Sequence, residues 1–520
     1  MTPINRRNLL RASALGTLYA GLRAASTGLP AWFLANPLKA SASDMACTLA
    51  NLDKLQFLVA STSSAGDPIS CNVPGTYEAD AIIHPAQAEF VATPFDFGNQ
   101  SVNAAQVWST LSASVRTRTN FFHHITGGLV HGDHPKVMRF LGNSSGGEMW
   151  PSIYAKRLAP CLGTVQAEPV SVGAGGNALE QISFQGRTLA AITPTQLKQL
   201  LTGSMKDPVV ALRKVRDKTL DDLNALFKEQ GSSEQIAFID ALHNSQTQVR
   251  KLATDLADVF NAITDDGVGG QALAAAALVQ AKVSPAIMVH IRFGGDNHND
   301  SDLYDEWYDT TDHASTKSGV PGVQAVIDAL DKQVPGKATF ATMNVFGRDL
   351  AGTAKVSGRS GRDHFGNHSV MVMIGKNVAP GVTGGCTPLN AAFVASDIDS
   401  ATGASKASGG DIARADTHIA AAKTLGVALG LDAATLAADF NDNGRDQVRE
   451  ERDLGLTERS ISGASRASIS RCRHCSPTPP IGWACSTAGS DVRRALDRFV
   501  LEVRVVGDRV PVHEPVAALA

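Results

Sequence analysis

Short apolar runs bounded by glycine and small polar residues punctuate the chain. The first, Leu55–Ala60 ("LQFLVA"), has the length of a strand and opens into the turn-rich "STSSAGDPISCNVPG". Over 194–264 the pattern changes. Apolar residues recur at three- and four-residue spacings in "LTGSMKDPVVALRKVRDKTLDDLNALFKEQ" and "SEQIAFIDALHNSQTQVRKLATDLADVFNAI", which predicts a largely helical insertion. Beyond it, "QALAAAALVQAKV" predicts a helix leading into the β-rich "AIMVHIRFGG". "GVQAVIDALDKQV" predicts another helix, "ATFATMNVFG" a strand after it, and "HSVMVMIG" a further strand. This alternation predicts an α/β fold, a mostly parallel sheet with helices on both faces. In that class, sites lie beyond the carboxyl ends of the strands.

The two ends of the chain do not follow the pattern. "NRRNLLRASALGTLYAGL" sets Arg6 and Arg7 directly before an apolar stretch, and "LKASAS" offers small residues for cleavage near Ala42. Residues 1–42 are therefore expected to be a twin-arginine export signal, handled by the twin-arginine translocase, with a periplasmic or secreted mature protein. Arg23 breaks the apolar run and no other segment has the length to span a bilayer, so no membrane span is expected in the mature protein. Residues 43–440 are expected to form the α/β domain. From 441 to 520 the text is rich in Arg and Ser with little periodicity, and is expected to be a disordered tail.

Charge narrows the function classes. Lys and Arg number 47 against 50 Asp and Glu, and no basic stripe alternates with aromatic residues, so a nucleic-acid partner is not expected. The seven cysteines are scattered, without the density of a disulfide scaffold. Cys472 and Cys475 form a Cys-x-x-Cys without a second pair, an incomplete zinc motif.

The candidate chemistry sits after the strands. Asp67, Ser70 and Cys71 follow the first; Asp296 and His298, in "GGDNHND", follow the second; Arg348, Asp363 and His364 lie between the third and fourth, with His368 just beyond. Each acid alone is an ordinary turn residue. Together, carboxylates and imidazoles at strand ends make a ligand set for a divalent metal such as zinc, manganese or calcium, which suits chemistry on an anionic ester. A further cluster, "FFHHITGGLVHGDHPK", carries His123, His124, His131, Asp133 and His134. It is read as a polar loop after a helix, in preference to a second metal site.

The motifs "RRNLLRAS", "AGDPISCNVPG", "GGDNHND", "VFGRDL" and "GRDHFGNHSVMVMIGKNVAPGVTGG" together resemble the twin-arginine-exported proteins grouped as the domain of unknown function 1501 family, distant relatives of the alkaline phosphatase and sulfatase superfamily. The resemblance covers about residues 55–431 and is densest over 294–385. It implies an alkaline-phosphatase-like fold and a metal-dependent hydrolase of phosphate or sulfate esters. It further implies metal ligands at Asp67, Asp296, His298, Asp363, His364 and His368, a nucleophile at Ser70 or Cys71, and Arg348 as the fork that holds a small anionic ester. Val345 stands where the family has a glutamate before Phe-Gly-Arg, and Pro68 and Ser70 interrupt the first-loop pattern. The alternative is a non-catalytic protein on the same fold that binds an envelope polysaccharide or protein partner.

Overall fold

The computed structural model describes residues 47, 49, 52–65, 72–84, 88–98, 100–164, 166–173, 178–202, 210–233, 236, 239–240, 243, 256–291, 298, 319–350, 363–390 and 392–440. The expected export signal (1–42), the tail (441–520) and the Cys472/Cys475 motif lie outside them.

Seven strands form one sheet: β1 (Phe57–Ser63), β2 (Thr119–His124), β3 (Val170–Ser171), β4 (Ala286–Val289), β5 (Ala338–Asn344), β6 (Ser369–Ile374) and β7 (Gly381–Thr383). Their order across the sheet is β7-β2-β6-β5-β1-β4-β3. β1 runs parallel to both β4 and β5, β3 is parallel to β4, and β7 is parallel to β2. β6 alone is reversed, antiparallel to β2 on one side and to β5 on the other. The sheet is thus mixed and mostly parallel.

β1 and β5 are buried along their whole length, as expected of central strands covered on both faces, which read as continuous runs rather than alternating ones. Successive side chains still part to opposite sides. Phe57, Val59, Phe121, Ile287, Phe340 and Val370 enter one core, while Leu58, Ala60, Phe122, Met288, Ala341 and Met371 enter the other.

Helices cover both faces. α4 (Val268–Gln280) and α5 (Gly319–Gln333) pack on each other and supply Ala274, Leu278, Val323 and Ile327 to the first core. α1 (Trp150–Leu162) lies against β1 and β4, and α6 (Thr417–Ala428) against β2, filling the second core with Trp150, Tyr154, Leu158 and Leu425. Pro151 starts α1, where its missing N–H is no loss, and Gly163 ends it in the left-handed conformation at φ 61°. Within 194–264 the described helices include α2 (Pro194–Thr202), α3 (Val210–Gln230) and a single turn at Ala257–Asn261. Among the described residues no helix is long and apolar enough to cross a membrane.

The structure corrects one expectation. Residues 119–124, "TNFFHH", are a fully buried strand between β6 and β7, and not a polar loop. His123 and His124 extend the alternation of Phe121 and Phe122, so each imidazole is directed to a different face of the sheet.

Candidate functional site

Because β6 is reversed, it begins at the edge where its neighbours end. The carboxyl ends of β1, β2, β4, β5 and β7 and the approach to β6 therefore share one border of the sheet, and the polar side chains gather there.

A short ribbon carries the expected third-to-fourth-strand residues. Gly347–Arg348 pairs antiparallel with His364–Phe365, Arg348 opposite His364, and Asp349 N–H donates to the Asp363 carbonyl at 2.9 Å. His298 Nδ1 lies 3.2 Å from Asp363 Oδ1, and the His298 and His364 rings are 5.2 Å apart. The His364 ring stacks on Phe346 at 4.0 Å, and its Nδ1–H donates to the Leu129 carbonyl at 3.0 Å. His131 joins the group, its ring 4.7 Å from that of His364 and its Nδ1–H donating to the Ser64 carbonyl at 2.6 Å.

The structure thus brings together His298, Asp363 and His364, at the end of β1. Asp67, Ser70, Cys71 and Asp296 lie outside the described residues. Arg348 is 1 % exposed, and its Nη2 donates to the Ala65 carbonyl at 2.9 Å, so the guanidinium ties down the start of the first loop.

A second polar network occupies the ends of β1, β3 and β4. Glu180, at the end of the turn Ala178–Glu180, accepts through Oε1 from both the N–H and the hydroxyl of Ser64, each at 2.9 Å. Its Oε2 lies 3.2 Å from His290 Nδ1, and Ser171 Oγ lies 3.2 Å from His290 Nε2. Burial pushes the Glu180 carboxyl up, but His290 and the two Ser64 donors outweigh it and hold the group at about 2. His134, in the turn His134–Val137, donates from Nδ1 to the Leu179 carbonyl at 2.7 Å and meets the Thr62 hydroxyl through Nε2. Burial lowers its pKa to about 4.

The third grouping lies at β7, β2 and β6. His123 is fully buried at the end of β2, His368 immediately precedes β6, and Cys386 follows Gly384 and Gly385 after β7. His123 Nε2–H donates to the Pro74 carbonyl at 2.9 Å, so in the neutral ring Nδ1 carries the lone pair. That Nδ1 is 2.9 Å from His368 Nε2 and 4.0 Å from Cys386 Sγ. Among the described residues this is the group whose donor atoms approach closely enough to hold a metal ion, all within 4.8 Å of one another. His368 was expected beside Asp363 and His364; the structure pairs it with His123 instead. Burial holds His123 at about 4 against the opposing pull of the Pro74 carbonyl, and burial with the neighbouring His123 holds His368 well below the ordinary range. Burial, with the Glu78 charge, pushes the Cys386 thiol well above its usual value.

On the other face of β2, His124 Nδ1 lies 3.0 Å from Nδ1 of His418, on α6. Sequence reasoning missed His418, Glu180, His290 and Cys386, and it set His123 aside as part of a polar loop. The available signal was a histidine in the last two positions of a strand or the first after it, at 123, 124 and 290.

Cys47 and Cys161 form a disulfide that joins the start of the described chain to the end of α1. No protein-family model matches the chain, and neither a curated protein nor a solved structure does.

Proposed function

We propose that this chain is an exported, metal-dependent hydrolase of phosphate or sulfate esters with an alkaline-phosphatase-like fold, related to the domain of unknown function 1501 family. The observation that carries the reading is the placement of His298, Asp363 and His364 together beside the end of β1, with 3.2 Å between the His298 imidazole and the Asp363 carboxylate. A carboxylate against an imidazole is the arrangement that orients a metal-binding histidine. By donor type these residues suit a divalent cation, zinc, manganese or calcium, and Asp67 and Asp296 would have to complete its coordination. When bound, such an ion would neutralise the oxygens of an anionic ester and lower the pKa of a nearby nucleophile. Ser70 or Cys71 would be that nucleophile, and Arg348 would position their loop through the Ala65 carbonyl. The Cys47–Cys161 disulfide supports export, because such bonds persist in oxidising compartments.

A second reading has its own support. Arg348 is buried and donates to the protein's own backbone, which leaves the expected anion fork turned inward. This favours a non-catalytic member that binds an envelope polysaccharide or protein partner. One experiment separates the two: metal content and aryl phosphate and aryl sulfate turnover of the natively purified protein and its Asp363→Ala variant. Metal-dependent turnover lost in the variant supports the hydrolase. No turnover of either ester with zinc, manganese or calcium added leaves the binding protein.

A further inference from the structure

The His123, His368 and Cys386 group stands apart from the donors assigned to ester hydrolysis. It joins three strands that are neighbours in the sheet, β7, β2 and β6.

Its spacing can be compared with what a tetrahedral metal requires. With zinc–nitrogen bonds near 2.05 Å and a zinc–sulfur bond near 2.3 Å, two ligating nitrogens stand about 3.3 Å apart and a nitrogen and a sulfur about 3.6 Å apart. The observed separations are 2.9 Å between His123 Nδ1 and His368 Nε2 and 4.0 Å between His123 Nδ1 and Cys386 Sγ. Each differs from the tetrahedral value by about 0.4 Å, a shift within the reach of side-chain rotation.

The surroundings prepare the ligands. The Pro74 carbonyl takes the Nε2–H of His123 and so directs the Nδ1 lone pair toward the other two donors, the outer support that ligating histidines ordinarily have. Gly75 makes this contact possible, since a Cβ there would lie 2.5 Å from His123 Nε2. Both histidines are enclosed and held neutral by burial, the form that binds metal. The donor set decides the metal class. Two imidazoles and a thiol, with no carboxylate among them, suit zinc and disfavour manganese and calcium, which prefer oxygen.

We propose that His123 Nδ1, His368 Nε2 and Cys386 Sγ bind zinc, a donor set that shares no residue with the group assigned to ester hydrolysis and is independent of that reading. On binding, the Cys386 S–H bond breaks, its electron pair goes to the zinc–sulfur bond and its proton to solvent. The Nε2 proton of His368 moves to its Nδ1, freeing Nε2 to ligate. The site locks the end of β2 to the start of β6 and the segment after β7.

The test uses the full chain with the metal as probe. Cobalt(II) is added to metal-stripped protein carrying Cys472→Ser and Cys475→Ser, which removes the other thiol pair. The expected result is a thiolate-to-cobalt charge-transfer band that zinc abolishes at one equivalent. Cys386→Ser is expected to lose the band, and His368→Asn to weaken cobalt affinity by about tenfold or more, with circular dichroism unchanged in both. Asp363→Asn is expected to keep the band, whether or not it abolishes ester turnover. Absence of the band in the parent, or a band of full strength in Cys386→Ser, overturns the proposal. If Cys386→Ser does not fold, zinc titration of the parent with thiol alkylation decides. Protection of Cys386 from alkylation by one equivalent of zinc supports the site, and unchanged alkylation overturns it.

Discussion

His418 sets the protonation of His124. Their Nδ1 atoms lie 3.0 Å apart, and His418 donates its Nε2–H to the Val137 carbonyl at 3.1 Å. The neutral His418 ring then has only a lone pair at Nδ1, so the proton between the rings belongs to His124. His124 Nε2 is left as an acceptor, enclosed and without a hydrogen-bond partner among the described residues. Both rings are held neutral by burial, His418 at about 4 and His124 well below the ordinary range, with His418 next to burial among the causes for His124.

Removing this partner strands two polar groups. His418→Ala leaves the His124 Nδ1–H and the Val137 carbonyl without their bonds and opens a cavity beside Phe140, whose ring centre is 4.8 Å away. The expected loss is about 2–4 kcal/mol. Urea unfolding measures it, and nitrogen-15 NMR of the wild type checks the two tautomers; Nε2–H on His124 contradicts the assignment.

Acid should destabilise the protein through His134. Its pKa is 6.5 when unfolded and about 4 when folded, because burial disfavours the cation. Between those values the unfolded chain binds a proton that the folded one refuses, so stability is fully present above pH 6.5 and falls until pH reaches about 4. The contribution of this one group is about 3 kcal/mol. His134→Asn, which keeps a donor for the Leu179 carbonyl, should flatten that part of the profile. Denaturant midpoints that fall in parallel for both proteins would falsify it.

Gly75→Ala should cost several kcal/mol. The residue sits at φ +92°, which an L side chain rarely adopts, and the new methyl would press on the His123 ring. The His123 bond to Pro74 is the first casualty, and the expected loss is about 3 kcal/mol or more. A melting temperature within a degree or so of wild type would show that the loop relaxes freely.

Reducing the Cys47–Cys161 bond should lower stability by about 4 kcal/mol, since it closes a loop of 114 residues in sequence separation. Cys47→Ser should match the reduced wild type, and insensitivity of the wild type to reductant would count against the pairing.

The sequence made some of this legible and hid the rest for definite reasons. β1, β5 and β6 were readable because buried central strands are unbroken apolar runs. β2 was not, because its last two residues are histidines and polarity there resembled a loop. β3 and β7, two and three residues long, are too short to show a period. At the edge, Asp363 and His298 were legible as acid and imidazole on loops after strands. The pairing of His123 with His368 was not, since 245 residues separate them and only the reversal of β6 brings them to one border.

The order of strands in the sheet also dictates a timetable for synthesis. β1 leaves the ribosome early, yet its register partners, Ala286 on one side and Ala338 on the other, emerge only after most of the domain. Until then its row of amides and carbonyls has no partner from the main sheet. Pairings of such long sequence separation close late and slowly, because the entropy of joining distant segments must be overcome before the contacts form. A nascent chain halted before 338 would carry β1 as an open, aggregation-prone edge, so this protein has reason to depend on a holding chaperone until β5 arrives.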